Sequence, residues 1–318
     1  MTSLVTGGRG FIGRRLVASL RADGVPLRVM TRGRPDGPEE IHGDLADPAS
    51  LAAACAGVDT VFHCAGHAHA FGALGAADAA LHHQVNFEGT RAMAEAAGRA
   101  GVARFVFLSS VKAMGEPGNE CVGEGWPVPP DSAYGQAKRA AEAALLAAGA
   151  QHGMQVVIVR PAMVYGSGRR GNLERMAALV RRGLFPPLPE TGNRRSLIHV
   201  SDLVGALRLV AADPRAAGRC YIVAHPQSHS GRGLYNALRT ACGLAKVRWS
   251  MPRGLLAALA QLGDGIESVA GRRVPLDSEV LARLLGSACY SPARIERELG
   301  WQAKVELVDG LREMCGAG

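Results

Sequence analysis

Short apolar runs alternate with longer segments of helical period through the first half of the chain. The runs at 4–6, 27–31, 41–45, 60–65 (TVFHCA), 104–109 (RFVFLS) and 156–160 (VVIVR) predict strands. Helical spacing predicts helices over 11–21, from Pro48 onward, over 86–100 and over 133–148. The strands are continuously apolar rather than alternating, so both their faces are buried. Such strands, separated by amphipathic helices, specify an α/β fold: a doubly wound parallel sheet with helices on both faces. After Pro161 the pattern changes. Gly, Pro and Arg crowd 166–195, a helix near 202–212 and a strand at 220–223 (CYIV) return to the sheet, and short helices follow from about 225. The predicted organisation is a large unit at 1–163, its sheet rejoined at about 199–225, and a smaller mixed unit assembled from 164–198 and 226–318.

Composition narrows the class. Of 318 residues, 47% are apolar and 20% charged, as in a globular protein with a real core. No apolar run approaches the roughly 18 residues that span a bilayer, so no membrane insertion is expected. The opening MTSLVTGG runs directly into a strand without the basic and apolar regions of an export leader, which predicts a cytoplasmic protein. Cys55, Cys64, Cys121, Cys220, Cys242, Cys289 and Cys315 are odd in number and contain no C-x-x-C pair. They read mostly as reduced core residues, without a disulfide framework or a zinc site. The net charge of +8 is dispersed and no nucleic-acid motif accompanies it, so nucleic acid is not an expected partner. Attraction of polyanionic small molecules and a plain arginine-rich composition account for the charge equally well.

The sequence TGGRGFIG at 6–13 follows the first strand and opens the first helix. Gly7 permits a tight turn, Gly10 lets the backbone approach a pyrophosphate, and Gly13 lets helix and strand pack closely. The helix then presents free N–H groups and its positive dipole end to the phosphates. This is the dinucleotide site of a Rossmann fold, which makes the large unit NAD(P)-binding. At the end of the second strand, RVMTRGRP carries Thr31 and Arg32 where an acid would select NAD. Arg32, with Arg34 as a second candidate, suits a ribose 2′-phosphate, although solvated loop arginines are the plain alternative. NADP is therefore the expected cofactor and NAD the alternative. Asp44, in GDLAD, stands where it can hydrogen-bond the adenine amino group.

The sequence YGQAK places Tyr134 and Lys138 one turn apart on a helix face. A free tyrosine has a pKa of about 10, and a neighbouring ammonium stabilises the phenolate and lowers it. Tyr134 can then serve as general acid or base on a carbonyl or alcohol. Upstream, Ser109 and Ser110 end a strand, at the sheet edge where ligands bind in open parallel sheets, and one of them can hydrogen-bond the substrate oxygen. His67, His69, His82 and His83 read as solvated or hydrogen-bonded residues, with no acid or cysteine cluster to make a metal site. The apolar stretch RGLLAALAQL at 253–262 reads as core of the smaller unit rather than as a membrane helix.

In order along the chain, TGGRGFIG, GDLAD, HCAG, VNFEGT, LSSVKAMGE, YGQAK, RPAMVYGSG, RRSLIHVSDL and YSPARIERELGW resemble the extended short-chain dehydrogenases. These include nucleotide-sugar epimerases, dehydratases and reductases. The resemblance implies Ser110, Tyr134 and Lys138 as the catalytic set. It implies a cofactor site of Gly7, Gly10, Phe11, Ile12, Gly13, Arg32, Asp44, Leu45, Ala65, Gly66, Asn86, Tyr134, Lys138 and Arg160. A homodimer through two helices of the large unit is implied too.

The smaller unit resembles the substrate segment of enzymes acting on UDP-sugars. Asn172 and Arg195 are then expected to support the nucleotide diphosphate, with Ser110, Lys112, Tyr134 and Arg283 completing the substrate set. The pattern is most similar to bacterial O-antigen enzymes related to UDP-N-acetylquinovosamine 4-ketoreductases and to UDP-hexose 4-epimerases. Val111 and Lys112 replace the Asp-Glu pair of dehydratases, and Met114 replaces a common tyrosine. The leading expectation is an NADP-dependent 4-ketoreductase for a UDP-linked sugar, with a UDP-sugar 4-epimerase as the alternative. A reductase of a non-sugar carbonyl is a third reading. A non-catalytic cofactor-binding protein is the fourth, and the Ser110, Tyr134, Lys138 set argues against it.

Overall fold

The computed structural model describes residues 1–67, 76–168, 171–270 and 277–316. Seven strands form one parallel sheet: β1 (Ser3–Thr6), β2 (Leu27–Thr31), β3 (Glu40–His42), β4 (Thr60–His63), β5 (Arg104–Leu108), β7 (Gln155–Pro161) and β10 (Cys220–Val223). Their spatial order is β10-β7-β5-β4-β1-β2-β3. Two short parallel pairs stand outside it, β6 (Cys121–Val122) with β11 (Cys289–Tyr290), and β8 (Met163–Tyr165) with β9 (Leu197–His199). The helices are α1 (Phe11–Ala22), α2 (Pro48–Cys55), α3 (Ala76–His82), α4 (Gly89–Arg99), α5 (Ala133–His152), α6 (Asn172–Arg181), α7 (Val200–Ala212), α8 (Gly231–Ala241), α9 (Arg253–Ala270), α10 (Ser278–Leu285), α11 (Ala293–Leu299) and α12 (Leu307–Gly316).

Neighbouring residues of one strand feed opposite cores, as the two-residue period of a strand requires. Val5, Val106, Val157 and Val159 pack with Leu16, Leu20, Leu203 and Leu207 of α1 and α7. Leu4, Phe105, Phe107 and Ile158 pack with Leu51, Met93 and Leu145 of α2, α4 and α5. A third core gathers Met176 and Val180 of α6, Leu234 and Leu238 of α8, and Leu311 of α12.

Four sequence expectations need correction. The strand expected at 41–45 ends at His42, because Gly43 N–H closes onto Thr31 O and Asp44 Oδ1 then takes the Ala46 N–H. The helix expected at 86–100 begins earlier, and a π-helical turn over His83–Glu88 separates α3 from α4. The stretch expected as core at 253–262 lies in α9, which buries Leu256 and Ala260 but exposes Leu255, Leu259 and Leu262. Cys121 and Cys289 form a disulfide, while Cys55, Cys64, Cys220, Cys242 and Cys315 are free. The pair is 168 residues apart in sequence, so spacing gave no sign of it; the β6–β11 pairing sets the two residues opposite each other.

The disulfide closes a long loop and is expected to stabilise the fold by about 4 kcal/mol. Unreduced, denatured protein should titrate five thiols, and reduction should lower the unfolding midpoint. Seven thiols before reduction, or an unchanged midpoint after it, contradicts this.

Candidate active site

The turn from β1 into α1 is built for close approach. Gly7 has φ +66°, and a Cβ there would lie 2.7 Å from Ala65 N. A Cβ on Gly13 would lie 2.1 Å from Gly7 O, so no side chain fits between turn and helix. Gly10 caps α1 without a side-chain hydrogen bond, and the first turn carries no acid. The helix N-terminus therefore offers uncapped N–H groups and positive potential, which fits the pyrophosphate of a dinucleotide. Phe11 and Ile12 are half-buried at this turn.

The second β-strand ends in buried Thr31 and exposed Arg32, with Arg34 exposed just beyond. Sequence reading missed Arg9, from the glycine turn itself. Its guanidinium crosses to the same loop and pairs with Asp36 at 2.5 Å and Glu40 at 2.7 Å. Asp44 holds its own turn through Ala46 N–H, and Leu45 packs against Gly89, where a Cβ would come within 2.9 Å of it. Ala65 N–H donates to Thr6 Oγ1 at 3.1 Å. Gly66 sits between Asn86 and Lys138: a Cβ there would lie 3.0 Å from Asn86 Oδ1 and 3.5 Å from Lys138 Nζ.

Helix α5 begins on Ser132, whose side chain accepts from Gly135 N–H. Tyr134, Lys138 and Glu142 follow at i, i+4 and i+8, on one face toward the ends of β5 and β7. The Lys138 ammonium is buried, donates to Leu108 O at 2.9 Å and stands 4.6 Å over the Phe107 ring. Burial pushes its pKa down to about 8, with Cys64 and Glu142 opposing the shift. Glu142, which sequence reading also missed, accepts from Ser109 Oγ at 2.6 Å and from Arg160 at 2.8 and 2.5 Å. Arg160 is 4% exposed and serves as support for the strand end through this pair. With Ser109 held by Glu142, Ser110 is the half-exposed hydroxyl at the sheet edge; its Oγ accepts from Lys112 N–H at 3.2 Å.

Of the expected substrate residues, Arg195 and Arg283 meet at the end of α10. Arg195 donates to the carbonyls of Gly286, at 3.1 Å, and of Arg283. Arg283 is itself ion-paired with Glu279, and Lys112 with Glu116. Burial lowers the Arg195 pKa, and Glu116 opposes that shift. Asn172 opens α6, but its side chain lies outside the described residues.

Among the described histidines an acid is present after all. Asp78 pairs with His67 Nε2 at 3.2 Å and with His82 Nε2 at 3.3 Å, while His69 lies outside the described residues. The three ligand atoms lie close enough together to hold a metal ion. Asn86 Oδ1 accepts His67 N–H at 2.7 Å and Asn86 Nδ2 donates to His67 O at 2.8 Å, which fixes the amide. The remaining Nδ2 proton points at His82 Nδ1, 3.1 Å away. The His82 ring thus lies between Asn86 and the Asp78 carboxylate, and burial lowers its pKa while Asp78 opposes the shift. His82 also packs edge-on against the Tyr134 ring, 5.4 Å between centroids. His63 is a core histidine between Thr6 and Thr90, its pKa pushed down to about 3 by burial and by Lys138.

Comparison with known proteins agrees with this geometry. The model of the NAD dependent epimerase/dehydratase family matches residues 3–224. The UDP-glucose 4-epimerase of Vibrio cholerae is 29% identical over 99% of this chain and 94% of its own length. The 2-alkyl-3-oxoalkanoate reductase of Stenotrophomonas maltophilia is 28% identical over 99% of this chain and 98% of its own. The solved UDP-glucose 4-epimerase of Thermus thermophilus, in complex with NAD, has a TM-score of 0.74 at 27% identity, covering 100% of this chain and 98% of that one.

The Glu142–Arg160 pair carries a stability test. Replacing Glu142 by Leu leaves Arg160 buried and unpaired and should cost about 3–5 kcal/mol. The double variant Glu142→Leu, Arg160→Met should recover most of that loss in denaturant unfolding. A single variant as stable as the parent contradicts the burial of the pair.

Proposed function

The chain belongs to the NAD dependent epimerase/dehydratase family, and from that premise we propose that it is an NADP-dependent reductase of the carbonyl at carbon 4 of a UDP-linked sugar. The observation that carries this reading is the end of β2: Thr31 is buried, Arg32 is exposed, and neither is an acid. A carboxylate there would repel a 2′-phosphate, whereas the Arg32 guanidinium attracts one. An NADPH selector suits net reduction, which consumes its cofactor. The bound dinucleotide would be held by the α1 N-terminus and Arg32, and supplies a hydride.

The chain's own residues handle the proton. Tyr134 donates it to the carbonyl oxygen, and the Ser110 hydroxyl holds that oxygen by a hydrogen bond. Lys138 places a positive charge beneath the phenol, and Glu142 fixes Ser109 and Arg160 behind it. Arg195, Arg283, Lys112 and Asn172 would take the substrate's diphosphate end, with 164–198 and 226–318 as the substrate unit. Val111 and Lys112 stand in place of the Asp-Glu pair of dehydratases, which argues against dehydration. The wider expectations of an O-antigen pathway and a homodimer rest on family resemblance alone. A UDP-sugar 4-epimerase is the second reading, favoured by the near full-length similarity to the Vibrio cholerae enzyme.

The test is a panel of UDP-4-keto sugars and a 2-alkyl-3-oxo acid with NADPH or NADH. The UDP-4-keto sugar should be reduced, with NADPH at least about tenfold better than NADH, a difference of about 1.4 kcal/mol. Tyr134→Phe should lose about 100-fold in turnover with cofactor affinity kept. Preference for NADH, or interconversion of UDP-hexoses without added cofactor, replaces the reductase by the epimerase. Turnover of the oxo acid alone removes the sugar.

A further inference from the structure

Among its described side chains, helix α9 turns a narrow apolar line to the rest of the chain and reaches Ser278 through Asp264. Leu256, Ala260 and Gly263, at i, i+4 and i+7, are buried. On the adjoining face Leu255, Leu259, Leu262 and Ile266 are 51, 38, 64 and 55% exposed. Helices normally turn such a stripe to the core, because burying large aliphatic side chains is favourable. A contiguous exposed apolar stripe marks a contact surface.

The flank of the helix identifies what the stripe meets. Lys246, Arg248 and Arg253 are exposed on the segment leading into α9 and at its first turn. Between them Trp249 is 63% exposed, at the border of the cationic segment and the apolar stripe. Aliphatic stripe, indole at the border and cations beside it are the features of a helix lying in a lipid interface. Asp264, the acid among the described side chains of α9, is engaged by Ser278 through N–H at 3.0 Å and Oγ at 2.5 Å. The whole chain carries +8, and cations beside an anionic leaflet are attracted to it.

We propose that α9 and the segment before it dock on the surface of an anionic lipid membrane, with the stripe in the acyl boundary and the cations on the headgroups. The chain does not cross: among the described residues no helix is long and apolar enough. Because α9 packs on α10, which carries Arg283, docking sets the Arg195–Arg283 end of the molecule beside the lipid surface. The proposal is independent of which carbonyl the enzyme reduces.

Cosedimentation with vesicles tests it. The parent should bind phosphatidylcholine–phosphatidylglycerol vesicles at least tenfold better than phosphatidylcholine alone, and raised salt should weaken the binding. Leu259→Glu with Leu262→Glu should abolish binding and leave the unfolding midpoint unchanged, since both side chains are exposed. Arg248→Ser with Arg253→Ser should remove the preference for anionic vesicles. Tryptophan emission should shift to the blue on binding, and the shift should vanish in Trp249→Phe. No partitioning of the parent overturns the proposal. So does a parent dimer, measured by analytical ultracentrifugation, that the Leu259→Glu, Leu262→Glu variant splits into monomers; that result gives the stripe to a second copy.

Discussion

An ammonium taken out of water loses hydration worth far more than one hydrogen bond returns. Lys138 is 5% exposed and donates to Leu108 O, above the Phe107 ring. Its pKa falls from 10.5 to about 8 because burial disfavours the charged form. The surroundings are arranged to limit that penalty. The C-terminal end of β5 supplies the carbonyl, Glu142 lies one turn further along α5, and Gly66 passes close by, where a Cβ would press on Asn86 Oδ1 at 3.0 Å. Since the folded value lies below the unfolded one, the folded state binds fewer protons between about 8 and 10.5, and this group adds stability as pH rises through that window.

The same face of α5 joins support to chemistry. Tyr134, Lys138 and Glu142 occupy successive turns, so one rigid helix carries the phenol, a buried cation one turn on and the carboxylate that locks Ser109 and Arg160. Ser110 is left as the accessible hydroxyl because Ser109 is taken. The π turn at His83–Glu88 seats Asn86, which clamps the His67 backbone and reaches His82 beside Tyr134.

Local signals were legible in the sequence. The glycine turn and the Tyr134–Lys138 spacing each occupy one contiguous segment, and the continuous apolar strands announced a parallel sheet. What escaped depends on contacts between distant segments. Glu142 looks like an ordinary helix carboxylate until β7 brings Arg160 against it, 18 residues on. Cys121 and Cys289 meet through two strands of two residues each, too short for any period to reveal. Arg9 was hidden by its place inside the glycine motif, although its partners lie on the next loop. Asp78 carried a usable signal, its i to i+4 spacing to His82. The apolar run of α9 read as core of the smaller unit, yet Leu255, Leu259 and Leu262 are exposed, because an apolar run alone does not say which of its faces meets core or solvent.

The buried ammonium is the claim on which the site depends, and NMR titration of isotope-labelled lysine measures it directly. The chain has four lysines, Lys112, Lys138, Lys246 and Lys304, and the signal missing from Lys138→Met identifies the one in question. The account predicts that this signal titrates at about 8. Titration at about 10.4, as for a lysine in water, would place the ammonium in solvent and contradict the account.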